Sequence, residues 1–161
     1  MAVEIREAAP EELDAARRLV EDYVDSLGID LGFQDIENEL ADFPGAYAPP
    51  QGSLLLAFDE GEPIGCVAVR AFDGDCCEMK RLYVKPAGRG RGIGRALAVA
   101  AIEAARELGY RMMRLDTLAE MEAARALYRS LGFRDVDAYR YNPTPGTAFM
   151  ELELGAEPSR R

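Results

Sequence analysis

Histidine is absent from the 161 residues, and cysteine occurs only three times, at Cys66, Cys76 and Cys77. Without histidine and without a C-x-x-C pair, a structural zinc site has no ligand set to draw on. No metal is expected. Two adjacent cysteines and a third apart make a poor disulfide framework and read as small buried strand residues. That usage fits the reducing cytoplasm. No apolar run approaches the roughly 18 residues of a membrane span, and the start, Met1 to Glu7, lacks the cationic and apolar regions of a secretory leader. A cytoplasmic protein without a membrane partner is the expectation. Basic residues are scarce, 19 against 29 acids, for a net charge of −10. That balance argues against nucleic acid as the main partner. The shortage is sharpest over residues 1–62, with three bases against sixteen acids. An acidic face of this kind steers a cationic substrate inward or serves solubility alone, and both readings stay open.

What is present fits one domain over 1–161, with 154–161 as a flexible tail. Glu4-Ile5-Arg6 alternates as a first strand. Pro10 suits a first helical position, and Leu13, Ala16, Val20, Val24 and Leu27 form an apolar stripe ended by Gly28. A short helix is expected over Phe33 to Leu40. Strands follow at Leu54–Phe58, Ile64–Phe72 and Cys76–Val84, separated by the turns Glu60-Gly61-Glu62 and Asp73-Gly74-Asp75. Ile93, Leu97, Ala101, Ala104 and Leu108 stripe a long helix capped by Gly109. Arg111–Thr117 reads as a strand, and Met121, Ala124, Tyr128 and Leu131 as one helical face ended by Gly132. Arg134–Val136 and Phe149–Leu154 are the last strands. The order β-α-α-β-β-β-α-β-α-β-β implies an α+β fold with a mixed sheet and helices on both faces.

One stretch breaks the acidic balance. Lys80, Arg81, Lys85, Arg89, Arg91 and Arg95 are six bases within sixteen residues, and no acid occurs between Met79 and Ile102. Glycines alternate through it, at Gly88, Gly90, Gly92 and Gly94. Glycines let backbone approach a ligand closely, and the first amides of a helix lack intrahelical partners beside a favourable dipole. A phosphate cradle is the natural reading. A Walker loop needs a Gly-Lys pair that is absent. A dinucleotide fingerprint needs glycine at the position held here by Ile93, Arg95 or Leu97, so that spacing fails too. The pattern Arg-x-x-Gly-x-Gly remains, met by Arg89, Gly92 and Gly94.

Glu78 to Pro86 followed by Arg89 to Leu97 resembles the acetyl-CoA motif of the GNAT superfamily of N-acetyltransferases. Ala124 to Phe133, a helix ending in Tyr-x-x-x-Gly-Phe, resembles the family's second motif. The element order is similar over about residues 3–154. The resemblance implies a mostly antiparallel sheet of six to seven strands, splayed at the cofactor site, with about four helices. It implies that Arg89, Gly90, Arg91, Gly92, Ile93, Gly94 and Arg95 hold the acetyl-CoA pyrophosphate, and that Leu82, Tyr83 and Val84 line its pantetheine arm. The Leu82 amide would polarise the thioester carbonyl. One departure stands out: the asparagine often found seven residues before the motif tyrosine is Met121 here.

An amine with a pKa near 10.4 is under about 0.1% neutral at pH 7, so a general base is useful. The resemblance favours Glu78 as that base. Strand alternation places Glu78, Lys80, Leu82 and Val84 on one face. At 3.3 Å per residue Glu78 stands about 13 Å from Leu82, so it would act through a water. The competing reading is a solvated carboxylate paired with Arg81 or a neighbour. Tyr128 takes the family position of the acid that returns a proton to the CoA thiolate, against a plain core aromatic. Phe33, Gln34 and Arg140 are substrate-binding candidates, Arg140 as a carboxylate clamp, against an ordinary aromatic-rich loop. The expected reaction is direct acetyl transfer to a primary amine, more naturally a small molecule than a protein. The alternative is a non-catalytic CoA-binding regulatory module. The oligomeric state is not fixed, and a homodimer is compatible with the sequence.

Overall fold

The computed structural model describes residues 3–27, 36–118, 121–139, 142 and 144–155. Phe33, Gln34 and Arg140 lie outside the described residues. Seven strands and four helices follow the expected order. They are β1 (Val3–Glu7), α1 (Leu13–Leu27), α2 (Ile36–Ala41), β2 (Ser53–Asp59), β3 (Glu62–Asp73), β4 (Cys76–Val84), α3 (Ile93–Glu107), β5 (Met112–Thr117), α4 (Glu122–Ser130), β6 (Arg134–Val136) and β7 (Ala148–Glu153). The sheet order is β1-β2-β3-β4-β5-β7-β6, with every pair antiparallel except β4–β5.

The sheet buries both faces. On one, α3 and α4 pack over Val67, Val69, Met79, Met113, Leu115 and Met150. On the other, Ala16, Leu19 and Val20 of α1 cover Leu54, Leu56, Cys66 and Ala68, with Leu40 of α2 at the edge. Helix α3 is alanine-rich, which suits both helix propensity and close approach to a sheet. Its buried positions are Ile93, Leu97, Ala98, Ala101, Ile102 and Ala105. Leu108, expected in that stripe, is instead half exposed, because the helix ends at Glu107 and Leu108 is its C-cap. The three cysteines are free and buried, as their spacing suggested. Leu154 is also buried, and its amide bonds the Arg111 carbonyl at 2.9 Å. Among the described residues, no helix is long and apolar enough to cross a membrane.

Two irregularities open the sheet at its middle. Strands β4 and β5 pair only from Cys76↔Met112 to Glu78↔Arg114. Beyond that point Met79–Val84 and Leu115–Thr117 diverge into a wedge. Within β4, the pairing to β3 shifts between Ala68↔Lys80 and Cys66↔Tyr83. Arg81 sits at this bulge with φ 62°, a left-handed conformation that costs a non-glycine residue about 1–2 kcal/mol.

Candidate active site

The bulge corrects one expectation. An unbroken strand would place Glu78, Lys80, Leu82 and Val84 on one face. The extra residue at Arg81 reverses the alternation behind it, so Leu82 and Val84 pack with the α3 side. Glu78 pairs with Arg70, which shares the α1 face with Ala68, so it lies on the opposite side from Leu82. The bulge is held from outside the strand. The Arg81 guanidinium, 3% exposed, donates from Nε (3.0 Å) and Nη2 (2.7 Å) to the two carboxylate oxygens of Glu39 on α2. The Tyr47 hydroxyl donates to the same carboxylate at 2.9 Å. Burial works to raise the Glu39 carboxyl, but the Arg81 hydrogen bonds and charge outweigh it and hold the group below its ordinary range. The Cys66 thiol donates to the Arg81 carbonyl at 3.3 Å.

The wedge is lined by Met79 to Leu82 of β4, Leu115 to Thr117 of β5, Tyr23 of α1, and Met121, Ala124 and Tyr128 of α4. Because residues from both sheet faces line it, the wedge passes through the sheet. Tyr128 enters from the α4 side. It is buried, and its ring meets Phe133 edge-on with centroids 5.7 Å apart. Burial pushes its hydroxyl well above the ordinary tyrosine range, and the charges of Tyr23 and Asp116 add to the effect. Tyr23 is itself pushed up to about 12, again chiefly by burial.

The glycine loop opens at the α3 end of the wedge. Gly90 and Gly92 have φ of 80° and 77°, and Gly92 is the N-cap of α3. A Cβ at either would meet nothing within 4 Å, so these glycines serve conformation and leave open space in front of the backbone. The first-turn amides of α3 face that space without intrahelical acceptors. Arg89, Arg91 and Arg95 are all exposed around it, each with a local partner. Arg89 Nε donates to the Val84 carbonyl at 3.0 Å, Arg91 pairs with Asp59 at 2.9 Å, and Arg95 donates to Ser130 Oγ at 2.9 Å. Exposed pairs of this kind are worth about 0–1 kcal/mol, so an incoming phosphate competes with them readily.

Glu78 is not solvated, but it is paired with a neighbour, Arg70. It is 0% exposed, and Arg70 donates to its Oε1 from Nε and Nη2, both at 3.0 Å. The Tyr139 hydroxyl donates to its Oε2 at 2.9 Å. Tyr139 is fixed in turn between Phe72 and Phe149, with centroids 5.1 and 5.2 Å away. Glu78 is absent from the wedge lining.

The carboxylate that does line the wedge is Asp116, which sequence reasoning missed. It stands near the end of β5, on the face opposite the buried Met113, Leu115 and Thr117. The Asn142 amide donates to its Oδ2 at 3.1 Å. The available signal was a single acid in an otherwise apolar-alternating strand end, just before the tyrosine helix. Tyr23 and Glu39 were also missed, since neither lies in a motif, and the Arg81 that Glu39 holds is 42 positions away.

The family model of the acetyltransferase (GNAT) family matches residues 15–133. An uncharacterised N-acetyltransferase of Schizosaccharomyces pombe is 45% identical over 147 residues, 90% of each chain. Human N-acetylaspartate synthetase is 36% identical over 121 residues, which is 74% of this chain but 39% of that protein. The crystal structure of a PaiA N-acetyltransferase from Thermoplasma acidophilum in complex with coenzyme A has the same fold, with a TM-score of 0.72 at 20% identity over 95% of this chain and 99% of that one.

Proposed function

The chain belongs to the acetyltransferase (GNAT) family, and from that premise we propose that it moves acetyl from acetyl-CoA to the primary amine of a small molecule by direct attack. The observation that carries this reading is the wedge, with the Gly90–Gly92 loop at one end and Tyr128 within it. The residues present suit the donor. Free amides and three arginines face a pyrophosphate, and the β4 edge beyond Glu78 has no β5 partner, so its polar groups are open to an amide-bearing arm. When bound, acetyl-CoA supplies an activated acyl group. The chain positions it and handles protons.

Tyr128 donates to the sulfur that leaves. Its raised hydroxyl stays protonated across the working range, well above an ordinary thiol near 8.5. It therefore acts chiefly as a hydrogen-bond donor to developing negative charge, with solvent completing protonation. The bulge fixed by Glu39 and Arg81 presents the Leu82 backbone at the wedge. Glu78 is the weaker part of the sequence reading as a base: with Arg70 and Tyr139 on its two oxygens, it reaches an amine only through the Tyr139 hydroxyl or a water.

The printed name of one relative points to aspartate as an acceptor for that protein. Here Arg70, Arg114 and Arg134 stand among Glu78, Asp116 and Glu151 on the Glu78 face, with Arg114 held to Glu151 at 2.9 Å. That relative's name makes an amino acid bearing carboxylate the first acceptor to try. The test measures thiol release from acetyl-CoA with L-aspartate, L-lysine, glycinamide and spermidine. Amine-dependent release with one preferred acceptor is expected. Tight acetyl-CoA binding with no release for any amine would leave a CoA-binding module instead.

A further inference from the structure

We propose that Asp116, not Glu78, is the catalytic base that binds the acceptor nitrogen and takes its proton. The proposal rests on the acetyl-transfer reading above. Three observations carry it. Asp116 lines the wedge that holds Tyr128, and it also lines the adjoining small cavity between α1, the β5 end and Asn142. Glu78 lines neither and is fully enclosed. Asn142 occupies Oδ2 of Asp116 and fixes its orientation, while Glu78 has donors on both oxygens.

The second cavity, about 20 Å³, continues the wedge on the α1 side and marks the direction from which the acceptor would come. Its lining shares Tyr23, Arg81, Asp116, Thr117 and Met121 with the wedge, and it lies toward Leu27 rather than the glycine loop. An amine entering there meets Asp116 before it meets the thioester. A carboxylate in a narrow, partly dry channel attracts an ammonium strongly. The bound ammonium first gives one proton to Asp116, which frees its lone pair for attack; as the new carbon–nitrogen bond forms, the nitrogen becomes far more acidic and loses a second proton to solvent. The carbon–sulfur bond breaks in the same transfer. Of the two protons lost at nitrogen, one is made good at the sulfur, through Tyr128 and solvent, and the other is released. Charge neighbours of Asp116 at the two cavities are Tyr23 from α1, Lys80 and Arg81 from β4, and Tyr128 from α4. Arg81 is neutralised by Glu39, and both tyrosines are held protonated by burial. Asp116 is thus the carboxylate that lines both cavities.

The experiment compares Asp116→Ala, Asp116→Asn and Glu78→Ala, using the four amines named above, with acetyl-CoA affinity measured by calorimetry for each protein. Asp116→Ala is expected to lose about 10²- to 10³-fold in kcat, keep its acetyl-CoA Kd within threefold, and recover at least tenfold in kcat with added formate. Asp116→Asn is expected to lose kcat to a similar extent and to show no formate recovery. The proposal is overturned if Asp116→Ala keeps wild-type kcat, if formate rescues Glu78→Ala and not Asp116→Ala, or if the loss at Asp116 comes with weakened acetyl-CoA binding and no rescue. A wild-type protein that releases no thiol with any amine overturns the underlying acetyl-transfer reading as well.

Discussion

Glu78 and Asp116 are both carboxylates on the α1 face of the central sheet, and their surroundings separate their roles. Arg70 and Tyr139 donate to Glu78, joining β3, β4 and the segment carrying Tyr139. Replacing Glu78 with Gln keeps the shape but removes the charge that Arg70 answers. A loss of about 1–3 kcal/mol follows from an under-satisfied buried group, read as a fall in Tm of about 2–4 °C per kcal/mol. An unchanged Tm would sink the structural role given to Glu78 here. Tyr128→Phe removes only the hydroxyl while keeping the ring on Phe133. A kcat loss of about tenfold or more, with unchanged acetyl-CoA Kd, is expected in steady-state and calorimetric assays. Glu39 carries a pH signature. Its folded-state carboxyl is depressed, so the stabilisation it gives is present above its ordinary value of 4.5 and is lost as pH falls through the lower folded value. The stability gap between wild type and Glu39→Gln, followed by urea denaturation, should be full at pH 7 and close as pH falls below about 4.

The element boundaries were legible because local chemistry sets them. The motif Tyr-x-x-x-Gly-Phe is a helix stop: Gly132 donates to the Arg129 carbonyl and Phe133 to the Tyr128 carbonyl, both at 3.0 Å, while the two rings touch. Gly109 and Tyr110 end α3 in the same way. Short turns at Gly61 and Gly74 bound β3 just as plainly. The bulge at Arg81 was not legible. Nothing local marks an arginine for left-handed φ, and its support, Glu39, lies 42 positions away. That one residue reversed the face of Leu82 and Val84, so the alternation argument for Glu78 failed although β4 itself was placed correctly. Asp116 escaped for a related reason: only the divergence of β4 from β5 exposes it. The loop glycines allow a test at this scale. Ala at position 92 meets no atom but must hold φ near 77°, at a cost of about 1–2 kcal/mol. If the free loop conformation is the binding one, acetyl-CoA Kd should rise about 5- to 30-fold. Gly61→Ala carries similar strain, at φ 85° in the β2–β3 hairpin, and should lower Tm without changing Kd.

At the scale of the whole molecule, the sheet is two blocks joined by a short seam. Strands β1 to β4 form one antiparallel block and β5 to β7 the other, and only three parallel residue pairs connect them. Helix α3 packs mainly on the first block, leaving the wedge as the weakest line through the domain. A ligand that lies in the wedge and ends on the α3 loop therefore bridges both blocks. The free chain leaves that stabilisation unused, and binding supplies it by mass action. At about 100 times Kd, acetyl-CoA should add roughly 2.7 kcal/mol, raising Tm by about 5–10 °C for a chain of this length. The phosphate end should respond to salt, because Arg89, Arg91 and Arg95 are exposed in a molecule of net charge −10. Attraction to them is local, and the surrounding acids oppose approach at longer range. Raising salt from about 0.05 to 0.5 M shortens the screening length to a few ångströms. It should weaken the arginine contacts and reduce the acetyl-CoA shift at fixed ligand concentration. Pantetheine, which keeps the arm and lacks the phosphates, should give a smaller shift that salt leaves nearly unchanged. Equal, salt-independent shifts from both ligands in a thermal melt would remove the glycine loop and its arginines from the binding site.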